Sequence, residues 1–123
     1  MLKTSMDAFS LRLEDRDAVV IVRVQGYLGV AAGKELQARI HEQLKKGKLR
    51  FVLDFAECRV VSSPGVVSLL ELATRVTDDF RAQLAISGLD ELKSNVFWMA
   101  GVSNVEPIFP KESEAVSHLL EDA

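Results

Sequence analysis

Residues 51–66 read FVLDFAECRVVSSPGV, and they hold the clearest structural signals in the chain. Phe51 to Phe55 is an apolar run of strand length, and Val60-Val61 ends the loop expected after it. Ser62-Ser63-Pro64-Gly65 then predicts the start of a helix, because serine is a favoured N-cap residue and proline is favoured at the first helical position. The apolar residues that follow give this helix a broad buried face, which ends near Asp78-Asp79.

Two strands precede this stretch. Apolar and polar residues alternate over residues 9–13, which is the period of a half-buried strand, and residues 14–17 predict a polar turn. Ala18 to Val24 is an apolar, β-branched run that suits a strand covered on both faces. Gly26-Tyr27-Leu28-Gly29 is expected to end that strand, and residues 1–7 carry little pattern and are expected to be a loose lead-in. The domain therefore opens with a predicted hairpin.

Helix and strand alternate in the rest of the chain. The spacing predicts a helix over 31–46 that ends at Gly47, a strand over 83–87, a helix over 89–100 with Leu92, Val96 and Phe97 inward, an edge strand over 105–109 that contains Pro107, and a last helix after Pro110. This order predicts a single α/β domain over residues 1–123, with an N-terminal β-hairpin followed by alternating helices and strands around a mixed, mostly parallel sheet.

Composition narrows the class of function. The formal net charge of −3, with no basic stripe, argues against nucleic-acid binding. A single cysteine, Cys58, excludes an internal disulfide framework and a cysteine-rich zinc site. The sequence has no stretch of signal-peptide or transmembrane length, and we expect a soluble, cytoplasmic protein.

No catalytic motif is present in the sequence. It contains no phosphate-binding loop, no dinucleotide-binding glycine pattern and no nucleophile elbow, so we expect neither an enzyme nor a cofactor. His41 and His118 lie on different predicted helices without a second ligand at metal-binding spacing, so no metal site is expected. Asp54 is interpreted as a structural hydrogen-bonding residue. Cys58 is placed in a loop beside Arg59, whose charge could lower the pKa of the thiol.

Four stretches in the same order resemble the STAS family, which includes the anti-sigma-factor antagonists. Residues 22–29 resemble its V-R-L-x-G-x-L-D strand and turn, and Phe51 to Phe55 resembles its I-V-L-D-L strand. Residues 62–66 resemble its signature D-S-[ST]-G-[LIV], and residues 84–105 resemble its late strand and the helix after it. The resemblance covers about residues 9–120.

The resemblance implies a regulatory module that binds a partner protein. In the family, an anti-sigma factor that is also a serine kinase phosphorylates a hydroxyl in the signature, and the unphosphorylated form binds that kinase. Alignment on Gly65 places Ser63 at the first hydroxyl position, with Ser62 where the family usually has aspartate and Pro64 at the second hydroxyl position. Gly29 stands where an acidic residue is common. The candidate phosphoacceptors are Ser63 first and Ser62 second.

The roles of the site residues have alternatives at this point. Ser63 is either the helix cap alone or a cap that is also a switch, and Gly65 serves either the close approach of a partner's backbone or a tight turn. Tyr27 is either an exposed contact residue on a loop beside Ser63 or a buried packing residue. The predicted partner-binding set is Tyr27, Leu28, Gly29, Ser62, Ser63, Pro64, Gly65 and Val66.

Two other functions remain compatible with the sequence. One is a STAS scaffold or partner protein that is never phosphorylated, which the missing acidic residues and Pro64 favour. The other is a module that senses a nucleotide or small ligand beside the signature. The sequence assigns neither the identity of the partner nor an oligomeric state.

Overall fold

Residues 8–101 and 106–121 are described by a computed structural model. Within them a five-stranded sheet has the strand order β1-β2-β3-β4-β5, with β1 (Phe9–Arg16), β2 (Val19–Leu28), β3 (Arg50–Val61), β4 (Gln83–Ser87) and β5 (Ile108–Phe109). The helices are α1 (Val30–Lys45), α2 (Ser63–Phe80), α3 (Glu91–Met99) and α4 (Glu112–Glu121). β1 and β2 are antiparallel and the other pairs are parallel, so the predicted mixed α/β fold with an opening hairpin is confirmed.

The sequential strand order decides where the helices lie. From β2 to β5, each connection leads to the next strand on the same side of the sheet. Because such connections are right-handed, the helices within them all lie on one face of the sheet. The core on that face joins strand residues to α1, α2 and α3, and includes Leu36, Ile40, Phe51, Leu53, Phe55, Leu69, Leu72 and Phe97. The core on the other face joins Ile21, Val52 and Ala85 to Ala115, Val116 and Leu119 of α4.

The hairpin turn is tighter than the sequence indicated. Residues 14–16 belong to β1, and the turn is Asp17-Ala18, with Asp17 at a φ of 57°. The prediction of a polar turn over 14–17 was wrong because the polar side chains of Glu14 and Arg16 pair with other charges on the sheet. Arg16 binds Glu14 at 2.8 Å, and Arg23 binds both Glu14 at 2.8 Å and Glu112 of α4 at 2.9 Å.

The two central strands are longer than predicted. β2 does not end at Gly26 but continues to Leu28, and β3 continues through the expected loop to Val61. The pairing of β2 with β3 contains two register shifts, one of which lies between Gly26 and Tyr27. Gly26 has a φ of 88°, and a Cβ there would lie 2.3 Å from the carbonyl oxygen of Ala8, so only glycine fits this bulge.

The third helix is shorter than predicted, and fewer of its apolar side chains are buried. It begins after Asp90, whose carboxylate accepts a hydrogen bond from the Lys93 amide at 2.8 Å. Phe97 is buried as predicted, but Leu92 and Val96 are exposed, so their inward assignment was wrong. β5 contains only Ile108–Phe109 and lies at the edge of the sheet, while Val105 lies outside the described residues, as do residues 1–7 of the expected lead-in.

Candidate partner-docking site

Ser62 fixes the start of α2 to the end of β2. Its backbone has extended geometry, and its hydroxyl oxygen accepts a hydrogen bond from the Gly65 amide at 3.2 Å. The same hydroxyl donates to the carbonyl oxygen of Leu28 at 3.3 Å, and the Ser62 amide donates to that oxygen at 3.0 Å. Ser62 is therefore the N-cap of the helix, and the interpretation of Ser63 as the cap was wrong.

Ser63 is the first residue of α2, and its side chain is exposed. Its hydroxyl makes no hydrogen bond with any residue that the structure describes, whereas the hydroxyl of Ser62 both accepts and donates one. Pro64, the second residue of the helix, has no N–H group, and the amide of Gly65 is used by the cap. The two serines are thus clearly different, with one hydroxyl committed to the fold and the other facing solvent.

Gly65 is required by the chain's own backbone. A Cβ at this position would lie 2.2 Å from the carbonyl oxygen of Leu28, which is too close for any side chain. Neither of the sequence interpretations, a partner's backbone or a tight turn, accounts for this contact, since Gly65 lies in the first turn of the helix and faces β2. The next residue, Val66, is also buried, so its side chain faces the core and not a partner.

Tyr27 and Leu28 belong to β2 and not to a loop. The Leu28 side chain is fully buried, so only its backbone contributes to the surface near Ser62. Tyr27 is half-buried, and its ring lies against Gly29, where a Cβ would come within 2.4 Å of the ring atom Cε2. An acidic side chain at position 29 would force this ring to move, which gives a structural reason for the glycine found there.

Exposed apolar side chains lie at the same edge of the sheet as the start of α2. Four of them, which we call the apolar rim, have exposed fractions of 52% for Val30, 50% for Val60, 54% for Val67 and 74% for Leu92. Each lies at the end of β3 or in the first two turns of a helix that follows a parallel strand, so all four belong to the edge of the sheet where the parallel strands end. Val67 is one helical turn from Ser63 and on the same face of α2.

The comparisons with known proteins identify the family. The sequence model of the STAS domain family matches residues 10–115, which is most of the chain. The protein belongs to the STAS domain family. The resemblance seen in the sequence is confirmed, and the matched region runs from β1 to the first turn of α4.

Named relatives of this STAS domain point the same way. A protein of Bordetella bronchiseptica, BtrV, which is named as a candidate anti-sigma factor antagonist, is 26% identical over 98 residues that cover 80% of this chain and 84% of that one. The crystal structure of an anti-sigma factor antagonist from Mycobacterium paratuberculosis has a TM-score of 0.79 at 17% identity, covering 91% of this chain and 94% of that chain. The phosphorylated form of the Bacillus cell fate determinant SpoIIAA has a TM-score of 0.68 at 20% identity, covering 89% and 99%. This STAS domain therefore has the fold of the anti-sigma factor antagonists.

Two polar residues near the site have structural roles. Asp54, at the centre of β3, accepts a hydrogen bond from the Ser87 hydroxyl at 2.7 Å and one from the Ala56 amide at 3.3 Å, so its predicted structural role is confirmed. Cys58 is buried within β3 and does not lie in a loop. Burial raises the pKa of its thiol, while nearby Lys93 opposes that rise only in part, so the lowering that Arg59 could have caused is not what the structure shows.

The part of the chain that the structure describes has neither a metal-binding cluster nor a membrane-spanning helix. Among residues 8–101 and 106–121, no group of three histidine, cysteine, aspartate or glutamate side chains could hold a metal ion. His41 packs edge-on against Phe80, and His118 packs against Phe109, so each imidazole has an aromatic neighbour. Over the same described residues, no helix combines the length and the apolar character needed to cross a membrane.

Proposed function

We propose that this STAS domain is a regulatory module that binds an anti-sigma-type serine kinase through the apolar rim, and that phosphorylation of Ser63 releases it. The observation that carries the proposal is the exposed, uncommitted hydroxyl of Ser63 at the start of α2, with the rim residues at the same edge of the sheet. Ser62 is the weaker candidate, because phosphorylation of its hydroxyl would remove the hydrogen bond that this hydroxyl donates to Leu28 and would disturb the N-cap bond from the Gly65 amide.

The apolar rim has the character of a surface for protein binding. Valine and leucine side chains that are at least half exposed lose contact with water when a partner covers them, and each contributes on the order of 1 kcal/mol to association. They come from three different helices and one strand that a shared core holds in place, so the surface needs little rearrangement before it binds. A rigid, partly apolar patch beside one polar group suits recognition of a protein better than catalysis.

Phosphate on Ser63 would oppose this docking through charge. It adds about 1.5 to 2 negative charges to a surface that the partner must desolvate. A phosphate at a helix N-terminus is normally stabilised by free backbone N–H groups. Here Pro64 has none and the Gly65 amide is taken by the cap, so the first turn offers mainly the amide of Ser63 itself. The added charge would therefore receive little stabilisation from the backbone amides of this helix, and it would act on the partner.

The names of similar proteins support a regulatory role. BtrV is named as a candidate anti-sigma factor antagonist, and the SpoIIAA structure is described as a phosphorylated form, which gives a precedent for a phosphate on this fold. We place the interaction in the cytoplasm, where a serine kinase has access to ATP. On this proposal the chain is the substrate of the kinase and supplies no catalytic residue and no cofactor of its own.

The first experiment measures phosphorylation. The full chain is incubated with anti-sigma-type serine kinases and ATP, then analysed by intact mass and by peptide mapping. We expect one added phosphate on Ser63, which disappears in Ser63→Ala. It should persist in Ser113→Ala, a matched exposed serine near the start of α4. A phosphate that maps to Ser62 and survives in Ser63→Ala would contradict the assignment.

The second experiment separates charge from shape. Ser63→Asp and Ser63→Asn have nearly the same size, but only the first adds a negative charge, and both residues are well accepted near a helix N-terminus. Calorimetric titration with the kinase should show Ser63→Asp binding at least tenfold more weakly than Ser63→Asn. Equal affinities would show that charge at this position does not control docking.

A constitutive partner protein is the second candidate. Ser62 and Gly29 stand where the family usually has acidic residues, and Pro64 removes an amide that a phosphate could use. If the chain binds the kinase through the apolar rim but never accepts phosphate, this second function is correct.

A further inference from the structure

Glu106 is a buried acid that the docking site does not use. It is 5% exposed, and the Thr77 hydroxyl donates a hydrogen bond to its Oε1 at 3.3 Å. The other carboxyl oxygen, Oε2, is buried and has no hydrogen-bond partner among the residues that the structure describes. A buried polar atom without a partner is costly, so this carboxyl needs an explanation.

Its position links an edge of the sheet to α2. Glu106 directly precedes Pro107, whose carbonyl oxygen accepts the Ile86 amide at 2.9 Å, and β5 follows at once. Thr77 lies in the last turns of α2, 14 residues after Ser63, which corresponds to roughly 20 Å along the helix axis. The carboxyl of Glu106 therefore contacts α2 at the end opposite to Ser63, just where the chain joins the edge strand.

The charge state of the Glu106 carboxyl is set by its burial, because no cationic side chain among the described residues offsets the loss of solvation. Desolvation raises the pKa of Glu106 to about 7, and the hydrogen bond from Thr77 opposes this only weakly. No charged side chain among the described residues contributes to this pKa. Lys93 of α3 binds Asp90 at 2.6 Å, and two charged residues near Thr77 in sequence, Asp78 of α2 and Arg81 at its C-cap, are exposed.

The remaining neighbours also lack ionisable groups. The adjacent strand β4 (Gln83–Ser87), which pairs with β5, contains none. The protonation state of Glu106 therefore depends on its own burial, and a change in that state must be met by moving the carboxyl toward water.

We propose that Glu106 is a proton-operated latch: the neutral carboxyl keeps Glu106 and Pro107 packed beside the end of α2, and the ionised carboxylate releases them toward solvent. Below pH 4.5 the carboxyl is neutral in the folded and unfolded chains, so its ionisation does not affect the unfolding equilibrium. Between pH 4.5 and about 7 only the folded chain keeps the proton, so the unfolding equilibrium constant rises with pH, and above about 7 the full effect is present. The latch is independent of partner binding and of Ser63.

The test compares the full chain with Glu106→Gln, which has the same shape but cannot ionise. Urea unfolding is measured between pH 4 and 8, together with amide hydrogen exchange at Ile86 and Gly88, whose N–H groups donate to Pro107 and Phe109. We expect the unfolding constant of the wild type to rise at least tenfold more than that of Glu106→Gln over this range. Both amides should exchange faster at pH 8 in the wild type alone, after correction for intrinsic exchange. The matched control Glu71→Gln, on the exposed face of α2, should follow the wild type.

Parallel pH profiles for wild type and Glu106→Gln would overturn the proposal. If Glu106→Gln does not fold, the carboxyl carbon of Glu106 is titrated by NMR in the wild type. A midpoint above pH 6 supports the latch, and a midpoint near the ordinary value of a glutamate contradicts it.

Discussion

The carbonyl oxygen of Leu28 receives two hydrogen bonds from Ser62, one from the amide at 3.0 Å and one from the hydroxyl at 3.3 Å. This contact joins the last residue of β2 to the N-cap of α2, across 34 residues of sequence. It fixes the position of the N-terminus of α2 relative to β2, and therefore the place where Ser63 is exposed to solvent. The stability of the contact and the exposure of Ser63 can be tested separately.

Substitution of the two serines should have unequal effects on stability. Ser62→Ala removes the cap and the side-chain bond to Leu28, and we expect it to lower the free energy of unfolding by about 1 kcal/mol. Ser63→Ala should change it by less than roughly 0.5 kcal/mol, because an exposed hydroxyl without partners contributes little. Urea denaturation of both variants measures this difference. Equal losses would contradict the assignment of Ser62 as the cap.

A side chain at Gly65 should disturb the contact between α2 and β2. The Cβ of Gly65→Ala would lie 2.2 Å from the carbonyl oxygen of Leu28, and we expect a loss of about 1–3 kcal/mol in the free energy of unfolding. Gly47→Asn is a matched control, because Gly47 has a φ of 88° with open space around it and asparagine tolerates left-handed geometry. The control should lose less than about 1 kcal/mol. A Gly65→Ala variant as stable as the wild type would show that α2 can shift away from β2.

The ion pairs of Arg23 should hold α4 on the sheet. Arg23 donates two hydrogen bonds to Glu112 at 2.9 Å each and contacts Glu14 at 2.8 Å. Arg23→Met should reduce the free energy of unfolding by about 1–2 kcal/mol and speed amide exchange in α4, because hydrogen bonds to charged groups are the stronger kind. The control Arg39→Met breaks only an exposed pair with Glu35 on α1, and should change stability by a few tenths of a kcal/mol.

Acid should weaken the same network. Hydrogen bonds from Arg23 and Arg16 lower the pKa of Glu14, so its stabilising effect is present above the ordinary pKa of glutamate and is lost as the pH falls further. We expect the stability of the wild type to fall more steeply below pH 4.5 than that of Arg23→Met. Identical slopes in acid would show that the pairing with Arg23 contributes nothing.

Trp98 should report directly on a bound partner. It is the single tryptophan of the chain, it lies on α3, and it is 71% exposed. A partner that covers the apolar rim at Leu92 and extends along α3 would bury the indole, and its emission should shift to shorter wavelength. The matched variant Leu92→Ser should weaken binding without altering the emission of the free chain. Binding with unchanged emission would place the partner away from α3.

Cys58 should be unreactive in the folded chain. The thiol is buried and its pKa is raised, so little thiolate exists at pH 8. An aromatic disulfide reagent should modify it at least a hundredfold more slowly in buffer than in 8 M urea. Rapid modification in buffer would show that the end of β3 opens readily.

The local signals in the sequence predicted the elements well where short-range chemistry decides the structure. Residues 83–87 and Gly47 were assigned correctly, since apolar runs and a helix-ending glycine act through neighbours in the chain. The limits of β2 and β3 were not, because Gly26 and the polar stretch from Glu57 to Arg59 look like loop residues. They remain in strands only because each strand provides the other with backbone hydrogen bonds and a bulge takes up the mismatch.

The candidate site also combines features that local sequence signals predict with features that depend on long-range contacts. Local residue patterns were enough to identify the family motif, the two serines before a helix and the lack of catalytic motifs. Which serine is free follows from the three-dimensional fold, because it depends on the carbonyl oxygen of Leu28, a residue distant in sequence. The fold also decided that Val67 and Leu92 are exposed while Leu28 and Val66 are buried. Burial is set by which elements pack against each other, and periodicity within one helix or strand does not contain that information.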